Sequence, residues 1–77
     1  MNARLRRTDA TWSEPYYGVS HRIIDGWQCT VVDWGTWVQA QVFNRPGTFE
    51  ALERDFTMLA QARRWAEDRV LAMTGEP

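Results

Sequence analysis

Seventy-seven residues with 44% hydrophobic content, five tryptophans and a formal charge of −1 describe one small globular domain. Such a chain is too apolar to be disordered, and its length is close to that at which a single core becomes marginal. No apolar run approaches the ~20 residues that span a bilayer, and the near-neutral charge disfavours a nonspecific grip on nucleic acid.

The N-terminal stretch, residues 1–15, shows no period and reads as a flexible arm preceding a domain over 16–77. Its basic cluster, Arg4, Arg6 and Arg7, is followed by no apolar stretch of the kind a secretory leader carries. The arm is mobile unless Leu5 or Trp12 docks. From Tyr16 to Ile24 side chains alternate as in a strand, and Asp25-Gly26 closes a hairpin to Trp27. Two registers compete. A two-residue loop pairs Ile24 with Trp27 and turns Ser20 and Arg22 towards the apolar face. A three-residue loop pairs Ile23 with Trp27, buries Val19 and Ile23, and sets His21 beside Cys29. Hydrophobic burial favours the second, because a one-residue slip exchanges the whole buried set.

Residues 27–43, WQCTVVDWGTWVQAQVF, organise the chain. They read as two strands turning at Trp34-Gly35, with Asp33 opposite Thr36. Val31 then faces Val38, Cys29 faces Ala40 and Trp27 faces Val42, all on one apolar side. The other side has a polar middle, Thr30, Gln39, Gln28 and Gln41, with Val32, Trp34, Trp37 and Phe43 towards its ends. Asn44-Arg45-Pro46-Gly47 is a turn. The segment TFEALERDF is ambiguous: a strand from Thr48 to about Arg54, or a helix capped by Thr48. The preceding turn and the need for a sheet wide enough to be covered favour the strand. From Thr57 to about Met73, Leu59, Ala62, Ala66, Val70 and Met73 form one helical stripe. Arg63 with Glu67 and Arg64 with Asp68 are spaced as ion pairs on its outer face, and Trp65 and Arg69 are spaced to stack. The fold expected is α+β: a four-stranded antiparallel β-meander covered on one face by a single C-terminal α-helix.

The helix start, Phe56-Thr57-Met58-Leu59-Ala60-Gln61-Ala62-Arg63-Arg64-Trp65-Ala66-Glu67, resembles a pattern common in small β-meander-plus-helix proteins of bacteriophages and prophages. It departs from that pattern in having Met58 where a Ser or Thr cap is usual. Some small phage-encoded inhibitors of host defence, anti-CRISPR proteins among them, are similar in size and layout. The resemblance implies a protein that binds and inhibits a host protein complex, and a single cysteine, which can form no internal disulfide, fits a cytoplasmic setting.

The residues point away from catalysis. One histidine and one cysteine cannot close a zinc site, and no cofactor motif is present: each glycine stands alone, without a phosphate-cradling loop. His21 with Cys29 is the one nucleophile–base pair available, and both read as packing residues. Glu50, Glu53 and Asp55 read as a solvated acidic face. What remains is contact. Trp34, Trp37, Phe43, Val32 and Tyr16, with Arg22 and Arg45, form the expected partner-binding surface, since aromatics and arginine dominate binding energy. The partner expected is a protein or a second copy of the chain, unless Leu5 and Trp12 fold back over this face. The runner-up is single-stranded nucleic acid, stacked on Trp37 or Tyr16 with Arg22, Arg45 and the arm supplying cations.

Overall fold

A computed structural model describes residues 7–44 and 51–73. Its elements are β1 (Val19–Ile24), β2 (Trp27–Asp33), β3 (Val38–Asn44), β4 (Ala51–Phe56) and α1 (Leu59–Met73). The strands form one antiparallel sheet in the order β1-β2-β3-β4, and α1 packs on one face of it, as expected. The ambiguous segment is a strand over Ala51–Phe56, not the start of the helix. Thr48, Phe49 and Glu50, and the turn at Arg45, Pro46 and Gly47, lie outside the described residues.

Two registers differ from the expected ones. Ile24 pairs with Trp27, Arg22 with Cys29 and Ser20 with Val31, so the two-residue loop wins. Its reason is local. Asp25 and Gly26 both take positive φ, 52° and 82°, the condition for the two-residue turn whose twist matches a hairpin. The consequence is that Ser20 and Arg22 face the helix. His21 lies opposite Thr30, on the other face from Cys29. Between β2 and β3 the register is two residues longer than expected: Val31 pairs with Ala40, Cys29 with Val42 and Asp33 with Val38. An even shift leaves each residue on its expected face.

The core lies between α1 and β2–β3. Cys29 and Val42 pack with Ala66 and Val70, while Val31, Val38 and Ala40 pack with Ala62. The small Ala62 and Ala66 let the helix lie close to the sheet, and Ile24, Trp27, Trp65, Phe56 and Leu59 fill the margins. Burying each of Val31 and Val42 contributes about 1.5–3 kcal/mol. The helix begins with the Ala62 N–H bonded to the Met58 carbonyl at 3.2 Å.

The arm docks. Every outward-facing backbone group of β1 is met by it. Tyr16 exchanges both amide–carbonyl bonds with Val19 (2.8 and 3.0 Å), and the Ser13 and Asp9 N–H groups donate to the His21 and Ile23 carbonyls (2.9 and 2.7 Å). The His21 and Ile23 N–H groups donate to Ser13 Oγ and Asp9 Oδ2 at 3.0 and 2.9 Å. Side chains here do the work of a neighbouring strand, because Asp and Ser readily replace backbone acceptors. That carboxylate is held below its usual pKa, chiefly by the Ile23 amide. Trp12 goes to the helix side of the sheet, against both halves of the core, and does not fold over the outer face.

Its indole N–H donates to Glu67 Oε2 at 2.7 Å, and the same oxygen accepts Arg22 Nη1 at 2.8 Å. Arg22 Nε donates to the Asp9 carbonyl at 2.9 Å. The Arg63 guanidinium lies over the Trp12 ring, 5.4 Å from its centroid, and Nη2 donates to Ser20 Oγ at 3.1 Å. Ser20 and Arg22 are thus tolerated on the helix-facing side because the helix brings polar partners to them. Arg63 and Glu67 are spent on these contacts. The ion pairs of the described residues are Arg7–Asp9 and Arg22–Glu67, and the two arginine–ring contacts are Arg54 on Phe56 and Arg63 on Trp12. The expected Arg63–Glu67, Arg64–Asp68 and Trp65–Arg69 pairs are not among them. Among the described residues no helix is long and apolar enough to cross a membrane.

Candidate functional site

Large apolar side chains surface at one end of the sheet. Tyr16 (74% exposed), Tyr17 (87%), Trp34 (58%), Trp37 (38%) and Met58 (56%) all stand where β1 and β3 begin and β2 and β4 end. Each is put there by a turn. Tyr17 and Gly18 both have positive φ, 53° and 79°, which reverses the arm into β1 and pushes the tyrosine rings outward. The two rings meet edge to face at 4.6 Å. Gly18 admits no side chain: its carbonyl accepts the Asp33 N–H at 2.8 Å, and a Cβ would lie 2.8 Å from the Asp33 carbonyl oxygen.

The β2–β3 turn carries the tryptophans. The Trp34 N–H donates to the Trp37 carbonyl at 2.9 Å, leaving Gly35 and Thr36 as its tip. Asp33 Oδ1 accepts the Gly35 N–H at 2.9 Å and braces that tip. Trp34 and Trp37 therefore face each other across the last rung of the hairpin. Their rings stack at 5.9 Å with planes 21° apart, an arrangement worth about 0.5–1.5 kcal/mol beyond burial.

The outer sheet face behind them has an acidic far side. By register it carries Val19, His21 and Ile23, then Val32, Thr30 and Gln28, then Gln39, Gln41 and Phe43, then Asp55 and Glu53. The Trp34 indole N–H points to Gln39 Oε1 at 3.4 Å, a long bond. Gln39 and Gln41 both donate their amides to Glu53, one to each carboxylate oxygen. Gln39 lies directly opposite Asp55. No arginine among the described residues stands on this face. Arg22 and Arg54 belong to the helix-facing positions, Arg7 to the arm, and Arg63, Arg64 and Arg69 to α1.

The expected contact residues separate into groups. Tyr16, Val32, Trp34 and Trp37 gather at the aromatic end. Phe43 sits on the same face but pairs with Gln28, about 20 Å along β3 from Trp37 at ~3.3 Å per residue. Arg22 is on the opposite side of the sheet, and Arg45 lies outside the described residues. Tyr17, Gln39 and Glu53 enter the site without having been expected there. The Tyr-Gly dipeptide is the signal that could have found the first, since it marks a reversal with left-handed backbone.

Cys29 is fully buried, and burial pushes its thiol up to about 12. With His21 exposed on the other face, the two cannot act as nucleophile and base. Among the described residues no group of three or more His, Cys, Asp and Glu side chains could hold a metal ion. Compared with protein-family models, curated proteins and solved structures, the chain matches none.

Proposed function

We propose that this chain is a protein-contact module that works through the Trp34–Trp37 end of its sheet. The observation that supports it is the stacked tryptophan pair, 58% and 38% exposed, held out by its own hairpin with Tyr16 and Tyr17 at the adjoining corner. Rigid, exposed aromatics carry most of the energy in protein interfaces, and a small domain gains nothing in stability from leaving them in water. Inhibition of a host protein complex by an inhibitor of the anti-CRISPR kind, the role the phage resemblance implies, is one form of such contact. A homodimer is another. The nucleic-acid reading has less support, because the phosphates of a strand whose bases stacked on this face would meet Glu53 and Asp55 and no described arginine.

The test is Trp37→Ala and Trp34→Ala beside Arg64→Ala, a solvent-side control. The tryptophan variants should lose about 1 kcal/mol of stability but weaken partner binding or self-association by about 2–4 kcal/mol. Sedimentation of the pure protein separates the two: a monomer that loses a partner is an adaptor or inhibitor, a dimer that dissociates has spent the face on itself. Full binding by both tryptophan variants overturns the reading.

A further inference from the structure

Resting on the contact-module reading, we propose that the Trp34–Trp37 end, together with Asp55 and Glu53, takes arginine side chains from an extended segment of the partner protein. Three observations carry this. The indole faces are exposed and electron-rich, and such faces attract cations. The carboxylates adjoin them. Gln39, the next outward residue along β3 after Trp37, is directly opposite Asp55, and Glu53 follows two residues along β4. Finally, charge is segregated: the described arginines stand on the arm, α1 and the helix-facing side of the sheet, so no described arginine shares the face a cation would approach.

The carboxylates have capacity to spare. Glu53 accepts one amide on each oxygen, and an ionised carboxylate has about four acceptor sites. Asp55 is exposed. The Gln39 and Gln41 amides fix the Glu53 carboxylate in place, so docking it costs little side-chain freedom. Arginine fits better than lysine because a guanidinium is flat. It can lie on an indole and still present its N–H edge in plane to a carboxylate. Two acidic residues two positions apart on a strand, as Glu53 and Asp55 are, repeat at about 6.6–7 Å, the repeat of an Arg-x-Arg segment running extended beside them. The same carboxylates stand against self-association through the outer row of β4, where Glu53 and Asp55 of one copy would meet Glu53 and Asp55 of the other.

The experiment titrates the whole protein with a short peptide holding two arginines one residue apart. Its counterpart has citrulline, which keeps the shape and loses the charge. The readout is the indole N–H signals of Trp34 and Trp37 in two-dimensional NMR. The expected result is a saturable shift of both with the arginine peptide, and roughly tenfold weaker binding with citrulline. That factor is what two exposed ion pairs and a cation–π contact sum to. Glu53→Gln combined with Asp55→Asn should weaken the arginine peptide by a similar factor, and the same spectra report whether the variant is folded. Equal response to both peptides, or unmoved indole signals with either, overturns the arginine assignment. Those outcomes leave the contact-module reading to the tryptophan variants, which fail or succeed on the partner itself. If the double variant does not fold, the citrulline comparison on the unaltered chain still decides.

Discussion

Replacing Glu67 with alanine tests the polar link between arm, sheet and helix. Glu67 Oε2 accepts both the Trp12 indole N–H at 2.7 Å and Arg22 Nη1 at 2.8 Å. An exposed ion pair is worth about 0–1 kcal/mol, whereas breaking a fully buried one costs about 3–5 kcal/mol. The Arg22 and Glu67 side chains are 20% and 34% exposed, so about 1–2 kcal/mol is the expected share of the pair. The stranded indole N–H adds about 1 kcal/mol. Glu67→Ala should therefore lose about 2–3 kcal/mol, or about 10–20 °C in midpoint for a domain of this size. Asp68→Ala, one residue on and exposed, should lose under about 0.5 kcal/mol. Thermal and urea unfolding followed by circular dichroism give both values. Trp12→Phe retains a ring over Arg63 and removes only the donor. In the Glu67→Ala background it should cost about 1 kcal/mol less than alone, because both changes break the same bond. Equal midpoints for Glu67→Ala and Asp68→Ala would refute the reasoning, as would strict additivity with Trp12→Phe.

Two further outcomes are expected. Cys29, buried and with its thiol raised to about 12, should react with a thiol reagent slowly in the native protein and fast in denaturant, and rapid native labelling would place it at the surface. Asp9 ties acid stability to the arm. Its folded pKa lies below the ordinary value, so its contribution is complete above the unfolded value of about 3.9 and is lost as pH falls through the lower folded value. Hydrogen exchange at the Ile23 amide should accelerate below about pH 4 in the wild-type chain, and Asp9→Asn should remove that acid-dependent step. Identical acid profiles for the two would break the link.

The meander and its helix are legible from alternation and from the Ala62–Ala66–Val70 stripe. The β2–β3 register lies two residues from the one the alternation suggests, and an even slip keeps every side chain on its face. The β1–β2 register was not recoverable from hydrophobicity. Burying Val19 and Ile23 looked better than turning Ser20 and Arg22 inward. What reverses that preference is Arg63 and Glu67, separated from Ser20 and Arg22 by 43 and 45 residues, and no local pattern announces them. The better guide was Asp25-Gly26, whose backbone preference fixed the loop at two residues. At the aromatic end of the sheet, the shared outer face of Trp34 and Trp37 is readable from parity alone. Arg22 was lost to the register error, and Trp12 to the lack of any period in the arm.

The two sides of the sheet differ in valence. Along β1 the arm consumes each outward amide and carbonyl, whereas β4 ends the strand order with no further strand among the described residues. A margin covered as that of β1 is cannot add a further strand. Deleting residues 1–15 would uncover most of that margin. β1 of each chain could then meet β4 of the next, a head-to-tail contact that does not close on itself, and such contacts propagate into fibres. The described part of the arm is thus an edge cover carried in cis.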